Sequence, residues 1–204
     1  MGSPLFINQI CRIRSASLSN LDGKICDLNA RGPAEICVEL YERFGLNYPK
    51  FLKMDPLSKM GFIASESILR TNSIPEDDLK STAIVLSNAA SSLDVDGKYF
   101  ETVGHFASPA LFVYTLPNVV IGEICIRNRF QGENAFFVQD KFDAEWIADY
   151  VEGLMVHQGV SNCLAGWIEV HGEHYDVFLY LTQKHKGTSG REHSFHTIQA
   201  LYEG

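Results

Sequence analysis

The spacing of apolar residues changes period along this 204-residue chain, and the changes mark out its elements. Leu5 to Ile13 alternates loosely and predicts a first strand. Ser15 to Asn29 is polar, with a turn at Asp22-Gly23, and reads as a surface connection. Pro33 to Phe44 turns helical, with Pro at the first helical position, Ile36, Leu40 and Phe44 on one face, and Gly45 at the stop. Asn47 to Phe51 reads as extended. Asp55-Pro56 opens a helix with Asp as N-cap and Pro at N1. Met60, Ile63, Ala64, Ser67 and Ile68 share one face of it, and Gly61 and Ala64 are small enough for close approach. Thr82 to Asn88 is a short β-branched run of the buried-strand kind, followed by a loop over Ala89 to Asp96 and a short helical piece over Lys98 to Phe106.

The stretch Ser108 to Asp143 organises the remainder. Ser108-Pro109 opens a short apolar run. Asn118 is placed to cap a helix at Val119 with its side-chain oxygen, and Val119 to Ile126 ends in Arg127 and Arg129, where cations complement the helix dipole. After the turn Gln131 to Asn134, Ala135 to Gln139 predicts a compact strand feeding a helix capped by Asp143. That helix, Asp143 to Met155, carries Ile147, Tyr150, Val151 and Leu154 on one face. Cys163 to Val170 and Tyr175 to Leu181 read as two strands about a turn at Gly172-Glu173, and a last helix runs from Arg191. Strands alternating with helices predict a mixed α/β layer fold.

From Met54 to Leu181 these phrases, in this order, resemble the β-ketoacyl synthases of fatty-acid and polyketide assembly, within the thiolase-like superfamily. The features that carry the likeness are Lys53-Met54-Asp55 before a small-residue-rich helix, the passage Leu116 to Asp143, and the small-Gly-x-x-Glu phrase inside Cys163 to Val170. The resemblance implies a thiolase-like half-fold, a mixed sheet with helices on its faces, with residues 1–204 as one domain equivalent to the N-terminal half of a ketosynthase. In that family the buried strand delivers the chain to a cysteine at the next helix N-terminus, where the dipole favours the thiolate. Here the corresponding place falls at about Lys141, and no Cys or Ser lies between Ala135 and Val156. The catalytic histidines of the family's second half have no counterpart in this stretch.

The resemblance also assigns expectations to residues. Lys141, Phe142 and Asn118 are candidates for carrier-protein or acyl contact, with a solvated lysine as the alternative for Lys141. Asp140 and Asp143 read as helix-capping acids. Phe136 and Phe137 are consecutive and face opposite sides of a strand. With Val138 they are interface candidates, since the family's equivalent strand pairs across a twofold axis; an internal strand is the other reading.

Composition narrows the classes further. A net charge of −8 disfavours nucleic-acid and anionic-membrane partners. No apolar run is long enough to span a bilayer. Five scattered cysteines, odd in number and never spaced C-x-x-C, fit reduced thiols and a cytoplasmic location. Cys125 and Cys163 sit in apolar runs, where a free Cys behaves as a small hydrophobe. His171 and His174 fall at a hairpin turn without the H-E-x-x-H arrangement, and His193 and His196 share a helix face with no third ligand, so neither pair predicts a metal site. No cofactor is expected.

The expected role is a ketosynthase-like protein without condensation activity, in fatty-acid-like or aryl-polyene-type polyketide synthesis. It would pair with a competent ketosynthase or with itself, or hold an acyl carrier protein. The family contains such partners, in which the subunit lacking the cysteine shapes chain length. The rival is an acyl-transfer or decarboxylating enzyme with Lys141 or a His as acid or base. An enzyme calls for a closed apolar tunnel to the helix N-terminus near Lys141; a partner calls for exposed apolar surface on strand 135–139 or helix 119–126.

Overall fold

Strand β1 (Phe6–Arg14) lies inside an eight-stranded mixed sheet in a computed structural model that describes residues 4–104 and 106–204. Ser15 and Ala16, both at positive φ, turn the chain into β2 (Ser17–Asn20), which pairs with β3 (Gly23–Asp27). Residues 15–29 are therefore a hairpin rather than a surface connection. Their polar side chains sit on strands because backbone pairing to β1, anchored by buried Leu18, decides the conformation.

Helix α1 (Pro33–Arg43) follows, with Gly45 at φ +60 just beyond it. The residues expected to be extended include a 3-10 turn, Pro49–Lys53, which buries Phe51 between Tyr41 and Phe62. Helix α2 (Pro56–Leu69) begins as expected, the Asp55 carboxylate accepting from the backbone N–H groups of Leu57 and Ser58. A methyl group on Gly61 would collide with Val120 and Ile168, so the close approach inferred from the small residues is real.

Strand β4 (Thr82–Asn88) is buried along its whole length. Helix α3 (Leu93–Val103) starts well before Lys98, inside the expected loop, because Ser92 precedes it and Asp94 and Asp96 fill its first turn. Of the piece expected to end at Phe106, His105 lies outside the described residues. Helices α4 (Pro109–Val113) and α5 (Val119–Asn128) lead to β5 (Asn134–Val138), one residue earlier at each end than expected. Then come α6 (Ala144–His157), β6 (Asn162–His171) and β7 (His174–Gln183). The last segment is not all helix: β8 (Arg191–Glu192) pairs with β1 before α7 (Phe195–Glu203).

The strand order is β3-β2-β1-β7-β6-β4-β5, with β8 beside β1. β4 is parallel to β5 and β6; the rest of the path is antiparallel. Helices α1, α2 and α5 cover one face and α6 and α7 the other, giving two apolar cores. Gly166 on β6 has φ +149, and any side chain there would strike the Phe178 carbonyl on β7, so this glycine lets the central hairpin close. Across one end of the sheet runs a buried polar ladder. The Asn8 amide donates to Gln183 (2.9 Å), Gln183 donates to Asn162 (2.8 Å), and Asn162 donates to the Thr82 hydroxyl (3.4 Å). Four strands are thereby held in one register, because a slip would leave these amides unpaired. Among the described residues no helix is long and apolar enough to cross a membrane.

Candidate functional site

The strand that leads to α6 occupies the outer edge of the sheet, with β4 on one side and, among the described residues, nothing paired on the other. Helix α5 precedes it and is tied to its own neighbours. Arg127 of α5 reaches Glu66 of α2 (3.0 Å), and buried Glu123 meets Lys50 (2.8 Å), so two ion pairs join α5 to its neighbours. Arg129 ends α5 in a left-handed conformation (φ 60) and pairs with exposed Glu76.

Asn118 does not cap α5 with its side chain. Its own backbone is helical (φ −69, ψ −6), and its carbonyl accepts from Ile121 and Gly122, so it behaves as an extra helical residue with an exposed side chain.

On β5 the two phenylalanines separate as the strand period requires. Phe136 packs on the core beneath α2 and α5, and Phe137 on the other core against Trp146 (4.6 Å between ring centroids) and Tyr150 (5.1 Å). Val138 is 59% exposed. The Glu133 carbonyl accepts from Ile84, and Gln139 donates to the Asn88 carbonyl, both on β4. By strict alternation the N–H groups of Asn134, Phe136 and Val138 face the free edge.

Beyond β5, Asp140 and Lys141 are exposed, and Lys141 has no ion-pair partner among the described residues. Phe142 is buried, its ring 4.3 Å from that of Tyr202 and 5.6 Å from that of Phe178. Asp143 caps α6, accepting from Trp146 (3.0 Å). Where a helix N-terminus could activate a thiolate, this chain places a carboxylate. Of the five clefts that stand out on the described surface, none is lined by Lys141 or Phe142.

The cysteines are placed for packing. Cys163 is fully buried on β6, and burial pushes the Cys163 and Cys125 thiols up, away from thiolate formation. His171 sits 3.7 Å from Asp94 at the β6–β7 turn. Among the described residues no three His, Cys, Asp or Glu side chains converge as metal ligands. His193 corrects the expected helix-face pair: it precedes the Ser194 cap, lies off the helix, and is half-buried beside Tyr180.

Two features go beyond the sequence reading. Glu169, a buried carboxylate on β6, accepts from the Ala89 (2.6 Å) and Ala90 (3.2 Å) amides, holding the loop that leaves β4. It is the Glu of the small-Gly-x-x-Glu phrase, and its hold on that loop is what the phrase alone did not reveal. The second is apolar surface on α3, α4 and their flanks: Phe100 (78%), Phe106 (80%), Phe112 and Leu116 all stand exposed. This segment starts from the end of β4 that lies beside Val138.

No family model matches the chain, and no curated protein matches it. Solved structures do. The ishigamide ketosynthase/chain length factor superposes with a TM-score of 0.64 at 15% identity over 88% of this chain and 62% of that one. A complex of the ketosynthase ApeO with its chain length factor ApeC from Xenorhabdus doucetiae gives 0.61 at 12% identity, covering 98% of this chain and 90% of that one. AntDE:AntF, a type II polyketide synthase acyl carrier protein in complex with its hexaketide-bound ketosynthase, gives 0.60 at 13% identity over 90% of this chain and 63% of that one. The chain thus spans under two thirds of two of these proteins and nearly all of a third. The mixed sheet clothed by helices on both faces is the thiolase-like fold of the ketosynthases and chain length factors.

Proposed function

We propose that this chain is a ketosynthase-like subunit without condensation activity that works by pairing with another chain of the same fold, a competent ketosynthase or a second copy of itself, in aryl-polyene-type polyketide or fatty-acid-like synthesis. The observation that carries the reading is the free edge of β5. Sheet edges in soluble proteins are commonly blunted by Lys, Pro, bulges or a covering loop. The sequence of β5, Asn-Ala-Phe-Phe-Val, has no charge and no proline, and it turns three backbone donors and the Val138 side chain outward. The apolar surface of α3 and α4 begins at the same end of the sheet and extends the area a partner would cover. Ile126, 62% exposed on α5, is a further exposed apolar side chain.

The absence of Cys and Ser from Ala135 to Val156 supports a role without acyl-enzyme chemistry, as does the Asp143 carboxylate at the head of α6. Structural neighbours that are complexes of a ketosynthase with a chain length factor, and of a ketosynthase with an acyl carrier protein, suggest the two partner types. On this reading the exposed Lys141 and Asn118 meet the carrier or its pantetheine phosphate, and Phe142 backs that surface from within.

Val138 is the clean probe, because its side chain is exposed, whereas Phe137 helps hold α6 on the sheet. Val138→Lys is expected to weaken pairing at least tenfold, about 1.4 kcal/mol, with the melting temperature of the dilute protein nearly unchanged. Light scattering after size exclusion, alone and mixed with a ketosynthase, reads the outcome. An unaltered mass for the variant would remove β5 as the interface. Mass spectrometry after incubation with acyl- and malonyl-carrier protein tests the rest: a stable covalent adduct on any residue would make the chain an enzyme.

A further inference from the structure

Far from β5 in strand order, the opposite side of the sheet gathers positive charge that the protein's overall −8 does not foretell. The register places Arg12 of β1 opposite Ser19 of β2, and Ser19 opposite Lys24 of β3. Directly paired residues project to the same face of a sheet, so the three side chains form a row across three strands. The row lines a cleft of about 390 Å³ between the hairpin and α7, which Arg191 of β8 also lines. Ser17 and Asn20 supply further polar groups, and no acidic side chain lines it.

The cations are incompletely satisfied. Arg12 makes one side-chain hydrogen bond, to the Leu201 carbonyl (3.2 Å), and its guanidinium packs against Gly204, with no further hydrogen bond from its five donors among the described residues. Partial burial, then repulsion from Arg14, outweigh the attraction of Asp176 and make its charge less favourable than in water, a cost that a bound anion would relieve. Arg191 has no ion-pair partner among the described residues, and Lys24 pairs only with the exposed Asp27 beside it. Ser19 is a nearly covered residue whose side chain lines the cleft and makes no hydrogen bond among the described residues. By contrast Arg127 and Arg129, which line another cleft, are each matched by a glutamate.

We propose that the Arg12–Ser19–Lys24 row, closed by Arg191, binds the phosphate of a small phosphorylated molecule. A guanidinium fork, a second arginine, an ammonium and a hydroxyl suit a tetrahedral dianion, and the cleft has room for an organic group beside it. The site is separate from β5 and does not depend on the pairing role.

Pyrophosphate is the probe, titrated calorimetrically into the full chain in Hepes at fixed ionic strength. Saturable binding at one site per chain is expected. The double substitution Lys24→Gln/Arg191→Gln, both exposed positions, should weaken it at least tenfold, and Ser19→Ala about threefold. Arg129→Gln, an exposed cation outside the cleft, should leave it unchanged. The proposal is overturned if wild type shows no saturable heat, if the double variant binds as wild type does, or if Arg129→Gln weakens binding as much as the double variant.

Discussion

His193 shows how one side chain can set a pH limit for the whole fold. Its backbone N–H donates to the Leu5 carbonyl, its ring lies beside Tyr180, and its Nε2 is buried without a hydrogen-bond partner. Burial lowers its pKa to about 4. In the unfolded chain the imidazole takes up a proton near pH 6.5, while the folded protein resists until about pH 4. The unfolded state therefore binds more protons in this window, and the stability contribution, complete above pH 6.5, is lost as pH falls toward 4. The loss through this residue is about 2–3 kcal/mol, since each tenfold change in proton affinity is worth about 1.4 kcal/mol. His193→Gln should flatten the difference between pH 7 and pH 4 by that amount in urea denaturation; parallel pH curves for the two proteins would show that the imidazole ionises freely.

Among the elements, those filled by local apolar pattern were readable, and those decided by distant pairing were not. The run Thr82 to Asn88 and the runs around Gly172 announced β4, β6 and β7 because each is buried along most of its length. Asp55 and Asp143 announced α2 and α6 because a carboxylate before a helix satisfies its first amides. The opposite facing of Phe136 and Phe137 followed from strand geometry alone, whereas the place of β5 at the sheet edge needed the full topology. The β1–β2 hairpin was hidden for a local reason. Its two turn residues, Ser15 (φ 50) and Ala16 (φ 52), adopt the paired positive-φ arrangement of a type I′ turn without the Asn-Gly that usually signals it. A left-handed non-glycine residue costs about 1–2 kcal/mol. Since Ser15 is exposed, Ser15→Gly should stabilise the protein by about 1 kcal/mol, net of glycine's greater freedom when unfolded. A fall in the thermal midpoint would show that the serine relieves the turn in some other way.

At the scale of the molecule, charge and apolar surface act in opposite directions on assembly. Two copies meeting along β5 bring together two chains of net charge −8, and their repulsion reaches about 30 Å at 0.01 M salt but only about 8 Å at 0.15 M. The surface proposed for contact is apolar and hydrogen-bonding, made by Val138 and the outward amides of β5. Added salt screens the repulsion and leaves apolar burial intact. Self-association should therefore strengthen as sodium chloride rises from 10 to 300 mM, with the dissociation constant falling by about tenfold, the equivalent of 1.4 kcal/mol. Phosphate binding at the Arg12 row must respond in the opposite sense, because salt screens an attraction there. Sedimentation equilibrium across the salt series separates the cases. A dimer that dissociates as salt is added would be held by ion pairs, which the neutral β5 edge cannot supply, and the interface would then have to lie on a charged surface elsewhere.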